Sequence, residues 1–490
     1  MQTNQYDLII IGGGPAGTPV AMEYAKLNPE KKIALLDALG ELGGECLFDG
    51  CIPSKIMQVS AKSIDNIARL EEFGIELEDK HYKLAWEKIV QRKEFILSKR
   101  SNTAKDVLAT LTNVQLIKAR ARFLNEKSIE ITKEDDTTEI LVFDKCVIGV
   151  GSKAHKIHFE GNANDKILDN ETFFDRMEFP KSLSIIGSGA IAVEFAQILA
   201  TLGCKINLFS RSNTILKNID AEASALILKT LQENKNINVI LNAHIKKVMF
   251  ENEFTIHYFK DGITQEISSQ KVLSATGRVA NIEHLALDKA DVEVEKSAIV
   301  TDKHLQTSNK SIYANGDVVA RFPKFAHTAQ YGAHTIAQNL FLEHNLLSID
   351  FDKNSWVLFS EPNVAMVGIS EKEARKRGLE ILVDKYEFAI DAKAQIEAHD
   401  SGFVKYVVDK DSKVILGITI VAYEANSIAG EAALIVANRL TLSNLISTIH
   451  PHPTLSESFS VLAKMMMGKI MQEKLKNPLV KTLLEIERFL

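Results

Sequence analysis

One pattern occurs twice in this 490-residue chain and restricts its fold more than any other: an apolar run, a glycine-rich turn, a helical stretch and a second apolar run. The first copy reads Tyr6-Asp7-Leu8-Ile9-Ile10-Ile11, then Gly12-Gly13-Gly14-Pro15-Ala16-Gly17, then a helical stretch through Ala21, Tyr24 and Ala25. A strand from Lys32 to Leu36 follows and ends at Asp37, twenty residues after Gly17. Unbroken apolar runs of this length suit strands buried on both faces of a parallel sheet. Gly12, Gly14 and Gly17 allow a tight turn and the close approach of a pyrophosphate, which rests on the helix N-terminus. An acid at the end of the second strand accepts from both ribose hydroxyls, so the first forty residues read as a dinucleotide site.

The second copy begins at Ser182. Leu183-Ser184-Ile185-Ile186 leads into Gly187-Ser188-Gly189-Ala190-Ile191-Ala192-Val193-Glu194, a helix to about Leu202 and a strand from Lys205 to Phe209. Ala192 stands for the third glycine, which the fingerprint tolerates. After the second strand comes Ser210-Arg211-Ser212 instead of an acid, and the next acidic residue after Glu194 is Asp220. Arg211, with Lys217, favours a 2′-phosphate through charge-assisted bonds, which points to NADP(H). The alternative is that Arg211 is a solvated surface charge and Ser210 alone holds the ribose.

Composition excludes several classes. At 46% hydrophobic and 25% charged, the chain is too apolar for disorder, and its length suggests about three domains. The best candidate for a membrane span, Leu183 to Ala200, is broken by glycines and carries Glu194. No signal or transit peptide is visible, so a cytoplasmic location is expected and membrane contact is not. A net charge of −6 argues against nucleic acid as a partner. Four cysteines cannot form a disulfide scaffold, and Cys146 and Cys204 each sit alone among apolar residues as small buried hydrophobes.

Cys46 and Cys51 are different, lying five residues apart in Gly43-Gly44-Glu45-Cys46-Leu47-Phe48-Asp49-Gly50-Cys51-Ile52-Pro53-Ser54-Lys55. On a regular helix that separation places Cα atoms roughly 8–9 Å apart, beyond the ~7 Å a disulfide tolerates. A bridge therefore needs a break between them, which Gly50 is best able to supply. Pro53 suits the start of the next helix, whose positive end would lower the Cys51 thiolate pKa.

Taken with the two glycine turns, this segment resembles that of the flavoprotein pyridine nucleotide–disulfide oxidoreductases, the family of dihydrolipoamide dehydrogenase, glutathione reductase and mercuric reductase. Further matches are Ala275-Thr276-Gly277-Arg278, Tyr313-Ala314-Asn315-Gly316-Asp317, Phe359-Ser360-Glu361-Pro362 with Val367-Gly368, and His450-Pro451-His452-Pro453-Thr454-Leu455-Ser456-Glu457. The resemblance implies an α/β fold with two Rossmann-like dinucleotide-binding domains, for FAD and NAD(P), plus a C-terminal α+β dimerisation domain. The expected boundaries are 1–150 with 280–347 for FAD, 151–279 for NAD(P), and 348–490 for dimerisation and a C-terminal extension. It implies a homodimer in which the His452–Glu457 pair of one subunit completes the site of the other.

By the same resemblance Cys46 and Cys51 form a redox-active disulfide. Cys51 faces the flavin and Cys46 exchanges with a small dithiol or disulfide. Thiolate, not thiol, attacks a disulfide, so a base is needed; His452 takes that role with Glu457 orienting it, and His450 is read as structural. Lys55 is expected near the flavin and paired with Glu194. Gly44, Gly316 and Asp317 belong to the FAD site, Gly277 to the nucleotide site, and no metal is expected.

Leu455 and Ala326-His327 resemble the dihydrolipoamide dehydrogenase form, with a lipoyl carrier protein as a further partner. The absence of any cysteine after Cys204 disfavours mercuric and large thioredoxin reductases. Departures from that form are Arg211, Ala192, Thr328-Ala329-Gln330-Tyr331, Gly149-Val150-Gly151, and Glu45 in place of the usual threonine. An NADPH-dependent reductase of glutathione or another small disulfide is the alternative, and a redox sensor without turnover is a second. Asn477-Pro478 suggests one more helix, with Leu479, Val480, Leu483, Leu484 and Ile486 as its apolar face, packed on the dimerisation domain or docking a carrier or membrane.

Overall fold

The computed structural model describes residues 4–78, 82–174, 178–342, 344 and 346–476. The last helix suggested by the sequence, at 477–490, lies outside them. The chain divides into two compact units, Met1–Asn213 with Asn236–Ile349, and Thr214–Lys235 with Asp350–Leu490.

The first unit contains both glycine turns, each on its own sheet. In the first sheet, β1 (Asn4–Ile11) runs parallel to β2 (Ile33–Asp37), joined by α1 (Thr18–Leu27). The short helix α2 (Gly44–Phe48), then α3 (Cys51–Ala68) and α4 (Trp86–Ala109), lead to β3 (Val114–Asn125), parallel to β2. An antiparallel meander through β4 (Ser128–Lys133) returns to β5 (Thr138–Ile148), which lies parallel to β1 on its other side. Leu8, Ile9, Ile10, Ile33 and Leu35 have no exposed surface, as the unbroken apolar runs require of central strands. Each such side chain contributes about 1.5–3 kcal/mol on burial.

After β6 (Ser152–Ala154) and the short α5 (Asn170–Phe174), the second sheet is built on β7 (Ser182–Ile186). The helix α6 (Ala190–Thr201) connects it to β8 (Lys205–Phe209). The chain then forms α7 (Ala221–Glu233), which groups with the second unit, and returns as β9 (Ile237–Ile240), parallel to β8. The antiparallel strands β10 (His244–Phe250), β11 (Phe254–Lys260) and β12 (Ile263–Ser269) precede β13 (Lys271–Ser274), which pairs parallel to β7. A core of Ile186, Phe209, Val248, Phe254, Ile256 and Val272 joins meander and sheet. The chain next makes β14 (Arg278–Ala280), antiparallel to β6, and returns to the first sheet as β15 (Ile312–Ala314), parallel to β5. The helix α8 (Ala326–Leu342) then packs on α1.

The second unit is a five-stranded antiparallel sheet with helices. Its strands are β16 (Ser355–Leu358), β17 (Asn363–Gly368), β18 (Ile381–Glu387), β19 (Phe403–Asp409) and β20 (Ile415–Ala422), in the order β16-β17-β20-β19-β18. The helices α9 (Ala425–Ala437), α10 (Leu442–Ser447) and α11 (Glu457–Leu475) share its apolar core, where Tyr406 donates a 3.0 Å hydrogen bond to the Phe459 carbonyl. Lys405 on β19 is buried and pairs with Asp220 at 2.8 Å and with Glu222. Asp220 also caps α7 by accepting from the N–H groups of Glu222 and Ala223.

Candidate active site

The two cysteines lie on either side of a helix break. Gly43 and Gly44 take positive φ angles of 125° and 56°, turning the chain into α2, which carries Cys46 and ends at Phe48. Gly50, at φ −128° and ψ −104°, is not helical, and α3 starts afresh at Cys51. The glycine therefore supplies the departure that the spacing demanded, and Cys51 occupies the first position of a four-to-five-turn helix. Both residues are free thiols, and they are chemically unequal. A hydrogen bond from the Cys46 thiol, and then the Lys55 charge, hold the Cys51 thiol below its ordinary range against partial desolvation by the surrounding protein. Donating that bond, together with burial and the nearby Glu45 charge, pushes Cys46 up.

Lys55 lies one turn beyond Cys51, and its ammonium meets the Glu194 carboxylate of α6 at 2.6 Å. Glu194 is the residue that the sequence placed just after the second glycine turn, and it is buried. Cys146 in β5 and Cys204 just before β8 are buried; burial raises both thiols, Cys204 to about 12.

A cleft of about 270 Å³ opens at the end of β1, lined by Gly12, Asp37, Glu41, Gly44, Glu45 and Ser152 among others. Gly12 has φ +114°, and a Cβ there would collide with the Gly149 carbonyl. A Cβ on Gly17 would strike the Gly12 carbonyl and the Ile10 side chain. Gly14, in the same turn as Gly12 and Gly17, faces Gly44 at the start of α2. The α1 N-terminus carries no acid in its first turn. Asp37 accepts from the Gly13 N–H at 3.0 Å and the Leu39 N–H at 2.9 Å, which fixes it at the rim. Asp317, beside Gly316 at φ +75°, accepts from the Ser152 hydroxyl. Asn315, unassigned from the sequence, donates to the carbonyls of Ala16 at 2.9 Å and Ala329 at 2.8 Å, tying the glycine turn to α8.

At the second turn, Gly187 has φ +132° and a Cβ there would collide with the Ala275 carbonyl. A Cβ on Gly189 would meet nothing, so the N-terminus of α6 is open. Ala192 is buried against the sheet, and Gly277 has φ +122°. Ser188 and Ser210 hydrogen-bond at 3.0 Å, joining the glycine turn to the end of β8. Arg211 and Lys217 are exposed, in the first and second units respectively. Both turns thus have the cradle a dinucleotide needs: an uncrowded helix N-terminus, backbone N–H groups and glycines where a Cβ would intrude.

Sequence reasoning noted Glu45 only as a departure. Its carboxylate pairs with Arg278 and accepts from the Asn170 amide at 3.0 Å. Arg278 also donates to the Ser152 hydroxyl and carbonyl, both at 2.8 Å, and Asn170 donates to the Asp49 carbonyl at 3.0 Å. The signal available was the charge itself: an acid beside a redox cysteine needs a partner, and Arg278 closes a recognisable motif.

In the second unit, His452 Nδ1 lies 3.0–3.1 Å from the Glu457 carboxylate, with the ring largely exposed. The Thr454 N–H first, and His452 second, hold the Glu457 carboxyl below its ordinary value. The His450 side chain is largely covered, with Nε2 at 2.9 Å from Glu431.

Comparison with known proteins decides the family. Residues 6–333 match the pyridine nucleotide-disulphide oxidoreductase model, and residues 354–463 match the dimerisation domain of the same family. The chain belongs to the pyridine nucleotide–disulphide oxidoreductases. It is 30% identical over 464 residues to a dihydrolipoyl dehydrogenase of Mycoplasma genitalium, covering 94% of this chain and 98% of that one. It is 32% identical over 467 residues to the enzyme of Thermus scotoductus, covering 94% and 97%. Among solved structures, an HOCl-induced flavoprotein disulfide reductase from Escherichia coli superposes with a TM-score of 0.83 at 25% identity, covering 94% and 100%. LpdA from Mycobacterium tuberculosis shares the fold, with a TM-score of 0.85 at 23% identity and coverage of 95% and 100%.

The family uses FAD and a pyridine nucleotide, and this oxidoreductase is an FAD-dependent disulfide oxidoreductase of the dihydrolipoyl dehydrogenase type. Its dimerisation domain supports a homodimer. No helix among the described residues is long and apolar enough to cross a membrane, and no group of side chains there could hold a metal ion.

Proposed function

We propose that the enzyme transfers two electrons between a lipoyl dithiol and a pyridine nucleotide through Cys46 and Cys51. The observation that carries this reading is the placement of Cys46 and Cys51 on either side of the Gly50 break, with Lys55 one turn beyond Cys51 and paired to Glu194. A substrate thiolate attacks the Cys46 sulfur of the oxidised pair, and Cys51 departs, because the thiol of lower pKa is the better leaving group. The second substrate thiolate then attacks the mixed disulfide and releases Cys46. The substrate is oxidised to its disulfide and the pair is reduced to two thiols, with the electron count balanced. His452 accepts the proton of the attacking substrate thiol, and Glu457 orients the ring and stabilises its cation. Each subunit's His452–Glu457 pair serves the cysteines of the other.

FAD, bound when the enzyme is loaded, supplies the two-electron link between the thiols and the nicotinamide. We assign it to residues 1–150 and 280–347, held by Gly12, Gly14, Gly17, Asp37, Gly44, Gly316 and Asp317, with Lys55 beside its reactive end. We assign residues 151–279 to the nicotinamide nucleotide, held by Gly187, Gly189, Ala192, Glu194 and Gly277, and residues 348–490 to dimerisation. The protein is placed in the cytoplasm, with a lipoyl carrier protein as partner.

Arg211 favours a second reading of direction. Exposed just after β8, its guanidinium pairs with the 2′-phosphate of NADPH, a cofactor that would reduce glutathione or another small disulfide. Steady-state turnover with four pairs (dihydrolipoamide with NAD or NADP, glutathione disulfide with NADH or NADPH) separates the readings. Turnover of dihydrolipoamide supports the first. Turnover confined to glutathione disulfide and NADPH replaces it with the second. Arg211→Glu should lower preference for the 2′-phosphate at least tenfold.

A further inference from the structure

The residue before the substrate-facing cysteine is an acid with a structure built around it. Glu45 sits on α2, next to Cys46, and its two oxygens are used separately: one accepts from Asn170 at 3.0 Å and the other pairs with Arg278. Asn170 returns to the redox segment through the Asp49 carbonyl at 3.0 Å, and its Oδ1 lies 3.3 Å from Arg278 Nη1. Arg278 is fixed in turn by Ser152, whose hydroxyl donates to Asp317. Three segments distant in sequence, at residues 45–49, 152–170 and 278, therefore close on one carboxylate. Glu171 on α5 and Asp317 beyond Ser152 also act on Glu45, both negative and both opposing its ionisation. Burial acts in the same direction and outweighs Arg278 and Asn170, pushing Glu45 up to about 7.

We propose that Glu45 is a positioning residue of the redox centre: anchored by Arg278 and Asn170, it holds the turn that carries Cys46, and its charge adds to the hydrogen bond with Cys51 in keeping the proton on Cys46. When Glu45 ionises, a negative charge appears beside Cys46 and holds the proton on its sulfur, since like charges disfavour a second ionisation nearby. Near neutral pH the thiol then gains reactivity with rising pH less steeply than a single ionisation allows. This rests on the reading of Cys46 as the thiol that meets substrate, so the experiment reads the two separately.

The FAD-loaded dimer, reduced anaerobically with excess dithiothreitol and then desalted, is alkylated with iodoacetamide from pH 5.5 to 9, and the labelled cysteine is located by peptide mass. In the wild type the bound flavin covers Cys51 on the reading above, so label falls on Cys46, and the log rate against pH shows a shallower segment near pH 7. In Glu45→Gln the segment disappears and the rate at pH 7.5 rises roughly three- to tenfold. In Glu45→Asp, which keeps the charge, the segment remains. Label on Cys51 instead of Cys46 overturns the thiol assignment. Label on Cys46 with superimposable profiles for wild type and Glu45→Gln overturns the role of Glu45. If Glu45→Gln does not retain FAD, the wild type decides alone: a profile of unit slope through pH 7 overturns the proposal.

Discussion

Glu194 shows what a buried charge demands. Its carboxylate is held by the Lys55 ammonium at 2.6 Å, and removing the carboxylate takes away the lysine's counter-charge in a half-buried place. Glu194→Ala should lower unfolding free energy by roughly 2–3 kcal/mol, measured by urea denaturation of the holoenzyme. The exposed His452 should behave oppositely. His452→Gln should leave stability unchanged and reduce dithiol–disulfide turnover about 10²–10⁴-fold, while reduction of the flavin by the nucleotide in a single turnover proceeds at the wild-type rate. Glu457 adds a pH dependence. Its folded pKa is depressed, so its contribution to holding the loop is present above the unfolded carboxylate value and lost as pH falls through the folded one. These residues were legible because each lies in a compact motif. Glu45 was not, because its role depends on a partner 233 positions away, and sequence alone showed only an unusual charge.

At the scale of elements, the strand–turn–helix units were legible because buried parallel strands, glycines and helices follow one another with fixed local physics. Both turns formed at their expected glycines, with β7 and β8 spanning the expected residues. Gly17→Ala tests the first turn, since the added Cβ strikes the Gly12 carbonyl. The purified variant should carry less than a tenth of the wild-type FAD, read from its flavin absorbance after denaturation. The placement of α7 was not legible. It follows β8 in the chain, yet Asp220 and Glu222 at its start bind Lys405 and Lys385 on the antiparallel sheet, the first of these 185 residues away. Periodicity cannot reveal which distant lysine an exposed-looking acid will find. Lys405→Met should lower stability by about 3 kcal/mol, because it leaves the Asp220 carboxylate, still capping α7, without its buried counter-charge.

For the whole molecule, the second unit leaves Ile390, Ile396, Leu434 and Ile449 exposed, Ile449 at 96%, in the region that matches the dimerisation domain. Sedimentation equilibrium should give a mass near twice that of the 54.4 kDa chain. The central claim is that electrons from the nucleotide reach the Cys46–Cys51 pair. Its most direct test is anaerobic thiol counting: the oxidised FAD-loaded dimer receives excess NADH or NADPH, is quenched with a labelled alkylating reagent, and is mapped by peptide mass. The account predicts two new thiols per chain, at Cys46 and Cys51, with Cys146 and Cys204 unlabelled. A fully reduced flavin with no new thiol at Cys46 and Cys51 would contradict it.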